Sequence, residues 1–225
     1  MKQKTMPRRS LMTGLGAAAA VSLTSKTAVA QTPKPFQPTR HAQDEWFSTI
    51  RGTHRNFIDA ATPSGAGAAI LYANNLYVAN QSGYKLAESD VAVVVCLRHF
   101  ATAFAFKDAI WAKYGKAMSS MIQFVDPKTK AAPSTNLLNS ADYGLTLSNF
   151  GNTIDSVVRR GTHFAVCDMA TRFFSGQIAM GVNGDAEAIY KELVANTIAN
   201  SHMVPAGVVA VNRAQEYGYT LLTAL

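Results

Sequence analysis

Residues 90–97, DVAVVVCL, constrain this chain more than any other stretch. The run is β-branched and apolar and does not alternate with polar residues. A strand with one wet face alternates, whereas a strand covered on both faces does not. The stretch therefore predicts a strand at the centre of a parallel sheet with helices on both sides. The rest of the chain is read against that requirement.

Apolar strand-like runs and helical periods alternate around it. Ala68–Ala73 (AAILYA) is read as the first strand and 76–88 as the helix that returns from it. A helix is read over 101–114, stopped by Gly115, and another over 147–160, capped by Ser148 and closed by Gly161. His163–Cys167 is the third strand, followed by helices at 169–180 and 185–195. Met203–Val204 is a fourth, short strand before Pro205-Ala206-Gly207. A helix over 208–217 ends at Gly218, and a last strand covers 219–223. This order predicts an α/β protein, a three-layer α/β/α sandwich around a mostly parallel five-stranded sheet. Residues 116–146 lack clear periodicity and read as a loop insertion around the turn Asp126-Pro127. Such a loop either covers a site or decorates the surface.

The amino-terminal end reads as an address rather than as fold. Met1–Ser10 is basic, residues 11–23 are mildly apolar, and Ala28-Val29-Ala30 is a small-x-small cleavage pattern. Residues 1–30 are thus read as a signal peptide, too weakly apolar to anchor in a bilayer. Arg8-Arg9 gives it the look of a twin-arginine signal, with export to the periplasm as the expectation. Residues 31–64, with Pro33, Pro35, Pro38 and Pro63, are read as a linker holding a short helix near 43–58, and residues 65–225 as the folded domain.

Removing the leader changes the charge argument. Of 21 Lys and Arg, five (Lys2, Lys4, Arg8, Arg9, Lys26) lie in it, so 16 remain against 14 acids, about +2. No basic patch interleaved with aromatics argues for nucleic acid, and no basic amphipathic helix for stable membrane insertion.

In a parallel sheet, ligands bind outside the carboxyl ends of the strands. On this reading those ends carry Asn74 and Asn75, Arg98 and His99, Cys167 and Asp168, and Gly207. Cys167 stands where a strand hands over to a helix. There the helix dipole and unpaired N–H groups favour a thiolate, with Arg172 one turn on adding positive charge. Cys167 is thus the candidate catalytic residue, and the other six are candidate substrate-binding residues. The alternatives stay open: a buried inert thiol, or a disulfide with Cys96, the other cysteine of the chain. His41, His54, His163 and His202 show no metal-ligand spacing, and the chain has no HExxH or CxxC. No motif specifies a cofactor.

With these residues in place, a family resemblance emerges. GTHFAVCDMA resembles the strand of the DsrE/DsrF-like sulfur-relay proteins that ends in a cysteine. VPAGVVAVNRAQEYGYTLL is similar to their closing strand, turn and helix, and VAVVVCLRHFA to their second strand, where many members place a histidine as at His99. The resemblance covers roughly residues 67–225, and the 116–146 insertion has no counterpart in the short relay members. It implies a three-layer domain assembled as a homotrimer or hexamer. It also implies a cysteine, here Cys167, that carries sulfur as a persulfide between a donor and an acceptor protein. Export, the insertion and Asp168 directly after the cysteine all depart from the relay pattern. The competing expectation is a non-catalytic periplasmic binding or assembly module in which Cys167 is structural.

Overall fold

The computed structural model describes residues 37–225. The leader and residues 31–36 of the linker, as read from the sequence, lie outside the described residues. In chain order the elements are α1 (Trp46–Thr49), β1 (His54–Ala60), α2 (Pro63–Tyr84), β2 (Val91–Leu97), α3 (Asp108–Ile122), α4 (Ile154–Arg159), β3 (His163–Cys167), α5 (Asp168–Val182), α6 (Ala186–Ala195), β4 (Ser201–Val204), α7 (Gly207–Glu216) and β5 (Thr220–Ala224). All strand pairs are parallel, in the order β4-β3-β2-β1-β5.

β2 is the strand that the run at 90–97 required. Every residue from Val91 to Leu97 is buried. Val91, Val93, Val95 and Leu97 pack into the larger core beside residues of α2 to α6. Ala92, Val94 and Cys96 face a smaller core under α1 and α7 with Phe47, Phe57 and Tyr219. The sheet is therefore covered on both faces, as a three-layer fold requires.

Handedness explains which helices lie where. The chain steps from β1 to β4 in one direction across the sheet, then returns past β1 to β5. Parallel crossovers are right-handed, so reversing the direction of travel sends α7 to the opposite face. The loops leaving β3 and β4 consequently run to opposite faces. That divergence is the topological switch point of the sheet, where open α/β sheets hold their ligands.

The first strand is not where the apolar run suggests. AAILYA lies inside α2, a helix of 22 residues. Thr62 caps it, its hydroxyl accepting the Gly65 N–H at 2.8 Å, and Pro63 occupies the first turn. Only Ile70 in that run is β-branched, and the alanines favour helix. The true β1, HRNFIDA, falls in the segment read as linker. Its polar residues find distant partners: Arg55 donates to the carbonyls of Phe47 and Ile50, and Asp59 binds Arg98.

Two smaller differences follow from packing. The helix stop expected at Gly115 is absent, because α3 begins at Asp108 and runs through it. Gly115 is needed for close approach, since a Cβ there would lie 2.1 Å from the Pro133 carbonyl oxygen. Residues 123–146 are pinned rather than loose. The buried Asn136 amide donates to the carbonyls of Phe104 and Phe106, and Asp126 accepts the backbone N–H of Lys128 and the Tyr143 hydroxyl.

Candidate functional site

At the switch point lies a cleft of about 380 Å³ lined by three strand–helix junctions: Arg98, His99 and Phe100 after β2, Cys167, Met169, Ala170 and Phe173 at the start of α5, and Ala206 to Val208 at the start of α7.

Cys167 is the last residue of β3 and the N-cap of α5. Its sulfur accepts the Ala170 N–H at 3.4 Å, so the thiol does what a Ser or Asp does at other helix starts. The residue is 6% exposed, and that sliver opens into the cleft. Cys96 differs. It is 0% exposed in the smaller core, and burial, then the Asp59 carboxylate, push its thiol well above the usual range.

Both cysteines are free thiols. The register explains why. Cys96 pairs with Ala165, two positions before Cys167 along the neighbouring strand. With strands ~4.8 Å apart and ~3.3 Å of rise per residue, the α-carbons lie about 8 Å apart, beyond the ~7 Å reach of a disulfide.

Arg98 leaves β2 on the same face as Cys167 and forms a bidentate pair with Asp59, Nε to Oδ1 at 2.7 Å and Nη2 to Oδ2 at 2.9 Å. This carboxylate holds the guanidinium above its ordinary pKa. His99 opens a 3-10 turn over His99–Ala105, is exposed, and stacks on Phe100 with centroids 4.2 Å apart. Its φ of 52° is in the left-handed region, which residues other than glycine adopt uncommonly, histidine more often than most. Gly207 is the first residue of α7, and a Cβ there would stand 2.4 Å from that of Arg98. Only glycine lets α7 approach the Arg98–Asp59 pair so closely.

Four of the seven sequence-derived candidates thus meet at one mouth: Cys167, Arg98, His99 and Gly207. Three do not line it. Asn74 sits in the middle of α2, where its side-chain oxygen accepts from Arg160 at 2.9 Å, and Asn75 is exposed on the same helix. The strand end expected at this point is replaced by the helix. Asp168 turns outward, accepting from Arg172 at 2.9 Å and from the Tyr190 hydroxyl. Arg172 is correspondingly committed to Asp168 and Glu187 rather than to the thiol. Nor does the 123–146 segment line the cleft.

Sequence reasoning missed Asp59 and the apolar rim. Asp59 carried a readable signal, a carboxylate near the end of the apolar-centred run HRNFIDA, hidden by the linker assignment. Met169, Phe173 and Val208 gave no comparable signal. They read as helix residues, and only the fold leaves them 67%, 51% and 59% exposed around the mouth.

No family model, curated protein or solved structure matches the chain. Among the described residues, no helix is long and apolar enough to cross a membrane.

Proposed function

We propose that the protein is an exported DsrE-like sulfur carrier in which Cys167 accepts a sulfane sulfur as a persulfide and passes it to an acceptor thiol. One observation carries this reading: the Cys167 sulfur stands at a helix start, on the wall of a ligand-sized cleft, with Arg98 and His99 at the same mouth. In the uptake step the thiolate attacks the outer sulfur of a donor such as thiosulfate. A new S–S bond forms at Cys167, and sulfite leaves with the electrons of the broken one. In delivery the acceptor thiolate attacks the outer sulfur of the persulfide, and the Cys167 thiolate leaves with the electrons of the broken S–S bond. Arg98, held by Asp59, and the imidazole of His99 steady the anions on either side of that step. The same reading places the protein in the periplasm, as a homotrimer or hexamer working between a donor and an acceptor protein.

Intact-mass measurement of the full chain after incubation with thiosulfate or polysulfide tests it. One added sulfur on the wild type, absent from Cys167→Ser, is the expected result. Equal masses for the two proteins with inorganic and organic sulfane donors alike overturn the reading.

A second reading, a non-catalytic binding or assembly module, is favoured by the slight exposure of Cys167 and by the apolar walls around it. It requires Cys167 to resist iodoacetamide in the folded protein near neutral pH.

A further inference from the structure

We infer that the donor this cleft is built for is organic: a monoanion whose sulfane sulfur is attached to an apolar body, as in an aryl thiosulfonate, rather than thiosulfate or inorganic polysulfide. The inference rests on the persulfide reading of Cys167 and narrows it to a substrate class.

The walls argue first. Phe100, Met169, Phe173 and Val208 line the cleft, and three of them keep more than half of their surface in water. Large apolar side chains gathered around a concave mouth mark a surface that gains by being covered. A hydrated inorganic dianion gains nothing from them, whereas an aromatic or alkyl group does.

Size argues next. A cavity of about 380 Å³ falls in the range that holds organic ligands, and a bare sulfur oxyanion leaves most of it empty.

Charge argues third. The guanidinium of Arg98 is already bound through Nε and Nη2 by the Asp59 carboxylate, so it can lend an anion its remaining N–H groups but the pair adds little net positive charge. Arg172, the other cation near the start of α5, faces Asp168 instead. A dianion entering here would shed its hydration without finding an uncommitted guanidinium. One negative charge is a smaller demand, within what the free N–H groups at a helix start satisfy.

The chemistry balances without an outside oxidant. Cys167 loses its proton to solvent. Its thiolate attacks the sulfane sulfur of R–SO2–S⁻, the new S–S bond forms, and the bond to the sulfonyl group breaks. The sulfinate R–SO2⁻ departs with that electron pair. The cysteine sulfur is oxidised to the persulfide level, the sulfonyl sulfur is reduced to sulfinate, and charge is conserved.

The test uses the full chain and three probes: benzenethiosulfonate, methanethiosulfonate and thiosulfate. The rate of sulfur addition to Cys167 is followed by intact mass and divided by the rate of the same donor with free cysteine, which cancels intrinsic reactivity. The normalised rate for benzenethiosulfonate is expected to exceed that for methanethiosulfonate by at least about tenfold, the range one or two apolar groups give in a pocket. Phe173→Ala, at a half-exposed position that folding tolerates, should erase most of that preference. In Cys167→Ser, which cannot react, calorimetry should show benzenesulfinate binding more tightly than sulfite. Equal normalised rates, or thiosulfate the fastest, overturn the organic-donor inference and leave persulfide carriage standing. Sulfur addition from none of the three, nor from polysulfide, overturns both.

Discussion

Strands β3 and β4 run side by side, and their two ends have opposite fates. At the carboxyl ends the chain leaves toward opposite faces, and Cys167 and Gly207 are left bordering an open cleft. At the amino ends the same strands carry His163 and His202, whose ring nitrogens share a hydrogen bond at 2.9 Å. There the incoming chain packs against them and leaves both half-buried: Trp46 of α1 stacks on His202 with centroids 4.0 Å apart and planes nearly parallel. Burial and then the neighbouring His163 bring the pKa of His202 down to about 4, while burial lowers that of His163. One end is therefore left as an open cleft, and the other is packed by the protein's own α1. Polar residues occur at both, so polarity does not distinguish them. The direction in which the flanking connections depart does.

The two cysteines break that comparison most directly. Iodoacetamide should label Cys167 at the open end faster than Cys96 by at least about a thousandfold, because reaching Cys96 needs an opening of several kcal/mol. Peptide mapping after timed labelling measures the ratio, and similar rates would mean that the mouth is closed in solution.

Closing the mouth on purpose is the next largest effect. Gly207→Ala puts a Cβ against Arg98 and should cost about 1–3 kcal/mol of stability, the usual range for overpacking. It should also slow sulfur uptake on the order of a hundredfold, since displacements near 1 Å at a reacting site have that effect. Denaturant midpoints and uptake rates on the same samples separate the two.

At the closed end, pH is the lever. His202 has a folded pKa of about 4 against an ordinary 6.5, so between those values the unfolded chain binds more protons. Stability should be complete above about pH 6.5 and fall as the pH drops toward 4. The melting temperature should follow that slope in the wild type and flatten in His202→Gln, while uptake at the open end keeps its own pH profile.

The smallest effect belongs to the residue the fold moved away. Asn75→Ala, on the exposed side of α2, should change stability by less than about 0.5 kcal/mol and leave uptake unchanged. A large loss would place α2 at the site after all.

How much of this was legible beforehand can be judged residue by residue. β2 and β3 were readable because a strand buried on both faces must be apolar throughout. Cys167, Arg98 and His99 followed once those strands were placed, and Gly207 once β4 was, since each lies at or within three residues of a strand end. Asn74, Asn75 and Asp168 were misplaced for different reasons. A short alanine-rich run does not distinguish strand from helix, and the residue after a strand turns either inward or outward depending on what its neighbours offer. Arg172 and Tyr190 offered Asp168 partners on the outside.

Local chemistry thus dictated the β2 and β3 runs, the cysteine at a helix start and the glycines that follow α4 and α7, because backbone preference and burial on both faces act within a few residues of chain. The tertiary structure alone decided that a charged stretch becomes β1, that Asp59 restrains Arg98, and that Met169, Phe173 and Val208 surround an opening. Those outcomes depend on partners far along the chain, 39 positions for Asp59 and Arg98, and on the direction in which each crossover turns, neither of which is written in any one segment.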